Sequence, residues 1–172
     1  MDWQMMEAIS TGVAAFLGTG AVLFAGCQLR ETWRKRQLEF TERKLDELNS
    51  IESKEGLRIA YQKAPSKLSD LGDREQAKLV KVLEGMHSFG LLVERGFADK
   101  KLAIEAHRGK FIRCWSKLRP CICYERNVRG KYGEGIEYLA KEAYKYQRKK
   151  YSRNQWVKLD GVICEIDPEG SC

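Results

Sequence analysis

Nine cations and six tyrosines crowd into residues 124–153, "YERNVRGKYGEGIEYLAKEAYKYQRKKYSR", against four glutamates. Arg126, Arg129, Lys131, Lys145, Arg148, Lys149 and Lys150 are the candidate ligand-binding side chains of this stretch. Cations interleaved with aromatic rings suit a groove for single-stranded RNA, where bases stack and phosphates pair. The same pattern suits anionic lipid headgroups or a phosphorylated ligand. It is equally the pattern of a solvated basic helix with tyrosines at the core edge.

Other chemistry is sparse. The six cysteines are Cys27, Cys114, Cys121, Cys123, Cys164 and Cys172, and no C-x-x-C occurs. His107, Cys114, Cys121 and Cys123 do not have the spacing of a zinc knuckle, so no metal site is expected and the thiols read as reduced and buried. The chain lacks a P-loop, a G-x-S-x-G elbow, an H-E-x-x-H pair and a convincing acid pair. No catalytic residue and no cofactor is expected, and the protein reads as a non-enzyme.

The element that must position everything else is at the N-terminus. No charged residue falls in 8–29, "AISTGVAAFLGTGAVLFAGCQL". A helix of that length crosses the roughly 30 Å hydrocarbon core of a bilayer. The leading "MDWQMME" is acidic, unlike the positive n-region of a secretory signal. Arg30, Arg34, Lys35 and Arg36 come directly after the run, and positive flanks stay on the cytoplasmic side. The expectation is a single span in the inner (cytoplasmic) membrane, N-terminus outside, C-terminal domain in the cytoplasm. Trp3 and Trp33 bracket it at the headgroup level. Within the run, Thr11, Ala14, Gly18, Ala21 and Ala25 recur at helical spacing and form one narrow stripe. Small stripes let helix backbones approach closely in lipid, so a homo-oligomer is expected, either a dimer or a ring.

The chain has 172 residues and a net charge of +7, and the portion beyond the uncharged run suffices for one core. Four parts are expected: 1–29, a short outer tail and the span; 30–52, a basic juxtamembrane helix continuous with it; 53–154, a cytoplasmic helical domain; and 155–172, a β-hairpin and tail. The hairpin rests on Asp160-Gly161 between two β-rich runs. Within the helical domain, one helix is expected to end before Pro65 and another to be capped by Asp73 and stopped by Gly96. A third is expected from Asp99 to Pro120, and a further helix after Pro120, weakened at Gly130, Gly133 and Gly135.

Residues 89–143 resemble the core of an uncharacterised bacterial family. The resemblance lies in "ERGFAD", Trp115, Pro120, Arg126 and the pair Tyr138–Leu139. Its members have one N-terminal span, a basic juxtamembrane helix and a compact cytoplasmic helical domain. The architecture is also similar to the membrane accessory protein of RNA-targeting CRISPR systems, a single-span protein with a HEPN-like helical domain that forms a ring-shaped pore in antiphage defence. That similarity implies an oligomeric membrane effector, with RNA or a CRISPR effector complex as partner. HEPN ribonucleases place a His four to six residues after an Arg. Here the only two histidines, His87 and His107, lack such an Arg, so a nuclease site cannot be completed from this chain. A membrane-tethered RNA-binding or degenerate HEPN module and a membrane-anchored scaffold are the competing readings.

Overall fold

The structure, a computed structural model, describes the backbone of residues 3–150 and the side chains of residues 23–150. Among the described residues five α-helices succeed one another: α1 (Trp3–Leu48), α2 (Ile51–Lys63), α3 (Asp73–Glu94), α4 (Lys100–Arg129) and α5 (Glu134–Lys150). A 3-10 turn, Leu68–Asp70, lies between α2 and α3. There is no strand among the described residues; the hairpin expected at 155–172 lies outside them. The chain divides into two compact units, Met1–Glu39 and Phe40–Cys172.

The expected juxtamembrane helix, 30–52, is continuous with the uncharged run as far as Leu48, where α1 ends; Asn49 and Ser50 form a turn and α2 begins at Ile51. Among the described residues no helix is long and apolar enough to cross a membrane. Most of 8–29, with Thr11, Ala14, Gly18 and Ala21, lies outside the residues whose side chains are described; Ala25 is described and exposed. The apolar side chains described at its C-terminal end and just after it stand in the open: Leu23 is 67% exposed, Phe24 65%, Leu29 74% and Trp33 58%.

The second unit is a helical bundle. Local chemistry sets its boundaries. Ser50 caps α2, its hydroxyl accepting from the Ser53 amide at 3.3 Å. Asp99 caps α4 by accepting from the Leu102 amide at 2.7 Å, while its own amide donates to the buried Thr41 hydroxyl at 2.8 Å. At the end of α3, the Phe97 amide reaches back to the Leu92 carbonyl and the Gly96 amide to that of Val93. This is a Schellman stop, with Gly96 at φ 76°.

Two expected boundaries are corrected. Gly72, not Asp73, is the N-cap of α3, and Asp73 sits in the first turn, where its charge favours the helix dipole. Pro120 does not end a helix, since α4 runs through it to Arg129. Leu118, Cys121 and Ile122, all fully buried, hold the turns on either side against the core while Pro120 faces out. Burial at about 1.5–3 kcal/mol per large apolar side chain matches the roughly 3 kcal/mol cost of an internal proline. The irregular turn is instead at His107, with φ −133° and ψ 19°. The break expected near Glu134 is real: α4 stops at Gly130 and α5 starts at Glu134.

The core brings Met86 and Phe89 of α3, Phe111 and Leu118 of α4, and Ile136 and Leu139 of α5 to full burial. Phe89 and Phe111 pack with ring centroids 6.4 Å apart. The first turn of α5 lies directly on the backbone of α3. A Cβ at Gly90 would fall 2.0 Å from the Gly135 carbonyl oxygen, and one at Gly135 would fall 2.0 Å from that of His87. Only paired glycines permit this approach. The Gly135 amide, one of the donors a helix start leaves unpaired, donates to His87 Nδ1 at 3.1 Å. His87 is therefore a helix cap.

Candidate anion-binding cleft

The basic, tyrosine-rich stretch folds as the end of α4, a glycine elbow and α5. Many of its cations have acidic partners. Arg126 donates through Nη1 to Glu137 at 2.8 Å and through Nε to the Tyr132 carbonyl at 3.0 Å. Lys141 holds the other oxygen of Glu137 at 2.7 Å. Burial opposes ionisation of this carboxyl, but the hydrogen bonds from Lys141 and Arg126 outweigh it and hold Glu137 below the usual carboxylate range. Arg129 pairs with the buried Glu125 at 3.0 Å and lies over the Tyr132 ring at 5.6 Å. Lys145 and Lys100 share Glu142 at 2.8 and 2.7 Å. Lys150 donates to the Tyr146 hydroxyl, which in turn donates to Glu105. Lys131 is exposed in the elbow, and Arg148 and Lys149 are exposed at the end of α5. The structure thus brings Arg126 and Arg129 together at the elbow and strings the remaining cations along α5.

The thiols are distributed otherwise. Cys114 and Cys121 are buried and free, and burial pushes them up to about 12 and about 11. Cys123, on the same helix, is partly buried. His107 Nε2 lies 3.2 Å from the Asn49 side-chain amide nitrogen.

A second cationic site was not expected. Lys54, Arg58 and Tyr61 stand on one face of α2, at spacings of four and three. Lys110 and Arg113 stand on the facing side of α4. Between them lies a cleft of about 600 Å³, with Leu57 in its wall and no carboxylate among the described residues that line it. The turn at His107 immediately precedes the α4 residues and sets their direction. Lys110 is fixed by Asn49 Oδ1 at 2.6 Å and by the Leu48 carbonyl at 3.3 Å, at the negative end of α1. Arg113 lies over the Tyr61 ring at 5.8 Å. Burial and the nearby Lys54 charge push the Lys110 ammonium below its usual range. Burial, with Lys110 alongside, likewise lowers His107, against the pull of Asp46. Burial pushes the Tyr61 hydroxyl up. Such a set can do one thing well, which is to hold an anion. The signal was present in the spacing of Lys54, Arg58 and Tyr61, but nothing in the sequence ties those residues to Lys110.

Neither a curated protein nor a solved structure matches the chain. A family described as a domain of unknown function, DUF4760, matches residues 13–143. The match starts inside the uncharged run, takes in both sides of the cleft and ends on the buried face of α5. The chain belongs to the DUF4760 family.

Proposed function

We propose that the protein is a single-pass inner-membrane protein, N-terminus outside and helical domain cytoplasmic, that self-associates and acts as an oligomeric membrane effector or pore-forming accessory in antiphage, CRISPR-linked defence. The observation that carries the reading is the uncharged run 8–29 flanked by Arg30, Arg34, Lys35 and Arg36. The open apolar side chains Leu23, Phe24 and Leu29 support it, because lipid is the solvent that suits them. The stripe of Thr11, Ala14, Gly18, Ala21 and Ala25 supports self-association. The pore, the HEPN-like character of the bundle and a CRISPR effector complex as partner rest on resemblance. No enzymatic step is part of this reading. The second reading, a membrane-tethered RNA-binding or degenerate HEPN module, is favoured by the cations exposed at Lys131, Arg148 and Lys149.

The test joins topology to assembly. A reporter fused after Cys172 is expected to read cytoplasmic; a periplasmic signal overturns the scheme. Gly18→Leu keeps the run apolar but blocks close helix approach, so it should dissociate the oligomer at unchanged expression, whereas Phe16→Leu on the opposite face should not. Equal assembly of the two variants on native gels removes the stripe from the reading.

A further inference from the structure

The cleft between α2 and α4 is built against its own electrostatics. Lys54 and Arg58 are like charges at i,i+4, an arrangement that weakens a helix. Lys110 is brought in from another helix, held there by Asn49 and the Leu48 carbonyl, and meets them with a third positive charge. Among the described residues, none that lines the cleft carries a carboxylate. On the opposite side of α2 the same protein pairs cations with acids, so the lack of acids in the cleft is a local feature and not a property of the surface at large.

Size and lining narrow the ligand. A cleft of about 600 Å³ is of the size that small molecules occupy, and far smaller than a groove tracking a nucleic-acid strand. Several cations, one of them a guanidinium able to grip two oxygens at once, match a multiply charged phosphate better than a single carboxylate. Leu57 and the Tyr61 ring offer an uncharged surface beside them, where a base or sugar can rest.

We propose that the cleft between α2 and α4 binds a soluble small molecule carrying two or more phosphates, of the nucleoside di- or triphosphate class, with Lys54, Arg58 and Lys110 on the phosphates and Tyr61 and Leu57 beside the uncharged part. The site is independent of the topology argued above, and its test does not depend on the oligomer.

Calorimetric titration of the full chain in neutral detergent, with ATP, inorganic pyrophosphate and adenosine as probes, decides the matter. ATP and pyrophosphate should saturate one site per chain, and adenosine should not compete at equal concentration. Lys54→Glu and Arg58→Gln should each weaken ATP binding at least tenfold with an unchanged helical spectrum, while Lys101→Gln, exposed at the start of α4 and away from the cleft, should leave it within twofold. Absence of saturable binding by both phosphate probes overturns the proposal, as does equal binding by Lys54→Glu. So does an Arg58-dependent affinity seen only with a single-stranded oligoribonucleotide or only with phosphatidylglycerol vesicles, which would assign the cleft to RNA or to lipid instead.

Discussion

The two sides of α2 treat charge in opposite ways. Toward α3, Glu52 pairs with Lys81, Glu55 with Lys78, and Lys63 with Glu75 at 2.7 Å. Toward α4, Lys54 and Arg58 line a cleft whose other side is formed by Lys110 and Arg113. The α3 side is also the close one: a Cβ on Gly56 would fall 2.5 Å from Val82 Cγ2 and 2.7 Å from the Lys78 carbonyl oxygen. Exposed ion pairs are worth about 0.2–1 kcal/mol each, so the three pairs set register more than they supply adhesion. Adhesion comes from the interlocked backbones and the buried Ile59 and Ala60. One side of the helix holds the bundle together, and the other keeps a positively lined space open.

The strongest way to break this contrast is to wedge the close side. Gly56→Leu places a branched side chain where a hydrogen now faces Val82 and the Lys78 carbonyl. Overpacking of this kind costs about 3 kcal/mol. Urea denaturation monitored by circular dichroism should show that loss, with a much smaller effect from any substitution at Arg58. A fully stable Gly56→Leu variant would mean that α2 is held from the cleft side, and the division of labour would be wrong.

The elbow between α4 and α5 sharpens the contrast from another direction, because its cations are paired as on the α3 side. Arg126→Met leaves Glu137 with Lys141 alone and should destabilise the bundle by about 2 kcal/mol. It should also change the response to acid. The folded carboxyl of Glu137 titrates below its unfolded value of 4.5, so its stabilisation is present above that pH and is lost as pH falls through the lowered folded value. Removing Arg126 raises the folded value toward the unfolded one and shrinks that window. Stability measured from pH 6 down to about pH 3 should therefore fall less steeply in the variant, from a lower starting point. An identical slope would place Arg126 outside the network.

These cases also show what can be read from a chain before it folds. Capping at Asp99, the stop at Gly96 and the end of α2 near Pro65 were legible because each depends on residues within one turn of each other. Pro120 was misleading: its local cost is plain, but the burial of Leu118, Cys121 and Ile122 that offsets it is a tertiary matter. Arg126 and Lys145 read as open ligands because a charge count does not show which acid each one meets. The partner of Arg126 is Glu137, across a glycine elbow whose bend the spacing does not specify. The cleft was hidden for the converse reason. Arg58 and Lys110 are far apart in the chain, and only the packing of α4 beside α2 puts them on one cleft.

The smallest effect is the most discriminating, because the two sides of α2 should answer a charge reversal with opposite signs. Lys54→Glu removes one of the like charges around Lys110 and creates a Glu–Arg pair at i,i+4 with Arg58 in the favourable order. It also adds a negative charge at the end of the first turn of α2, where the helix dipole welcomes it. All three changes stabilise, together by about 0.5–1 kcal/mol without ligand. Lys81→Glu sets two carboxylates against each other at Glu52 and should destabilise by about 0.5 kcal/mol. Both shifts should shrink in 1 M salt, where the Debye length falls to about 3 Å. If Lys54→Glu instead loosens the bundle, Lys54 is a structural contact and the cleft is held open by packing alone. If it tightens the bundle, the native lysine is kept at a cost to stability, and a cost of that kind is what a binding site imposes on the fold that carries it.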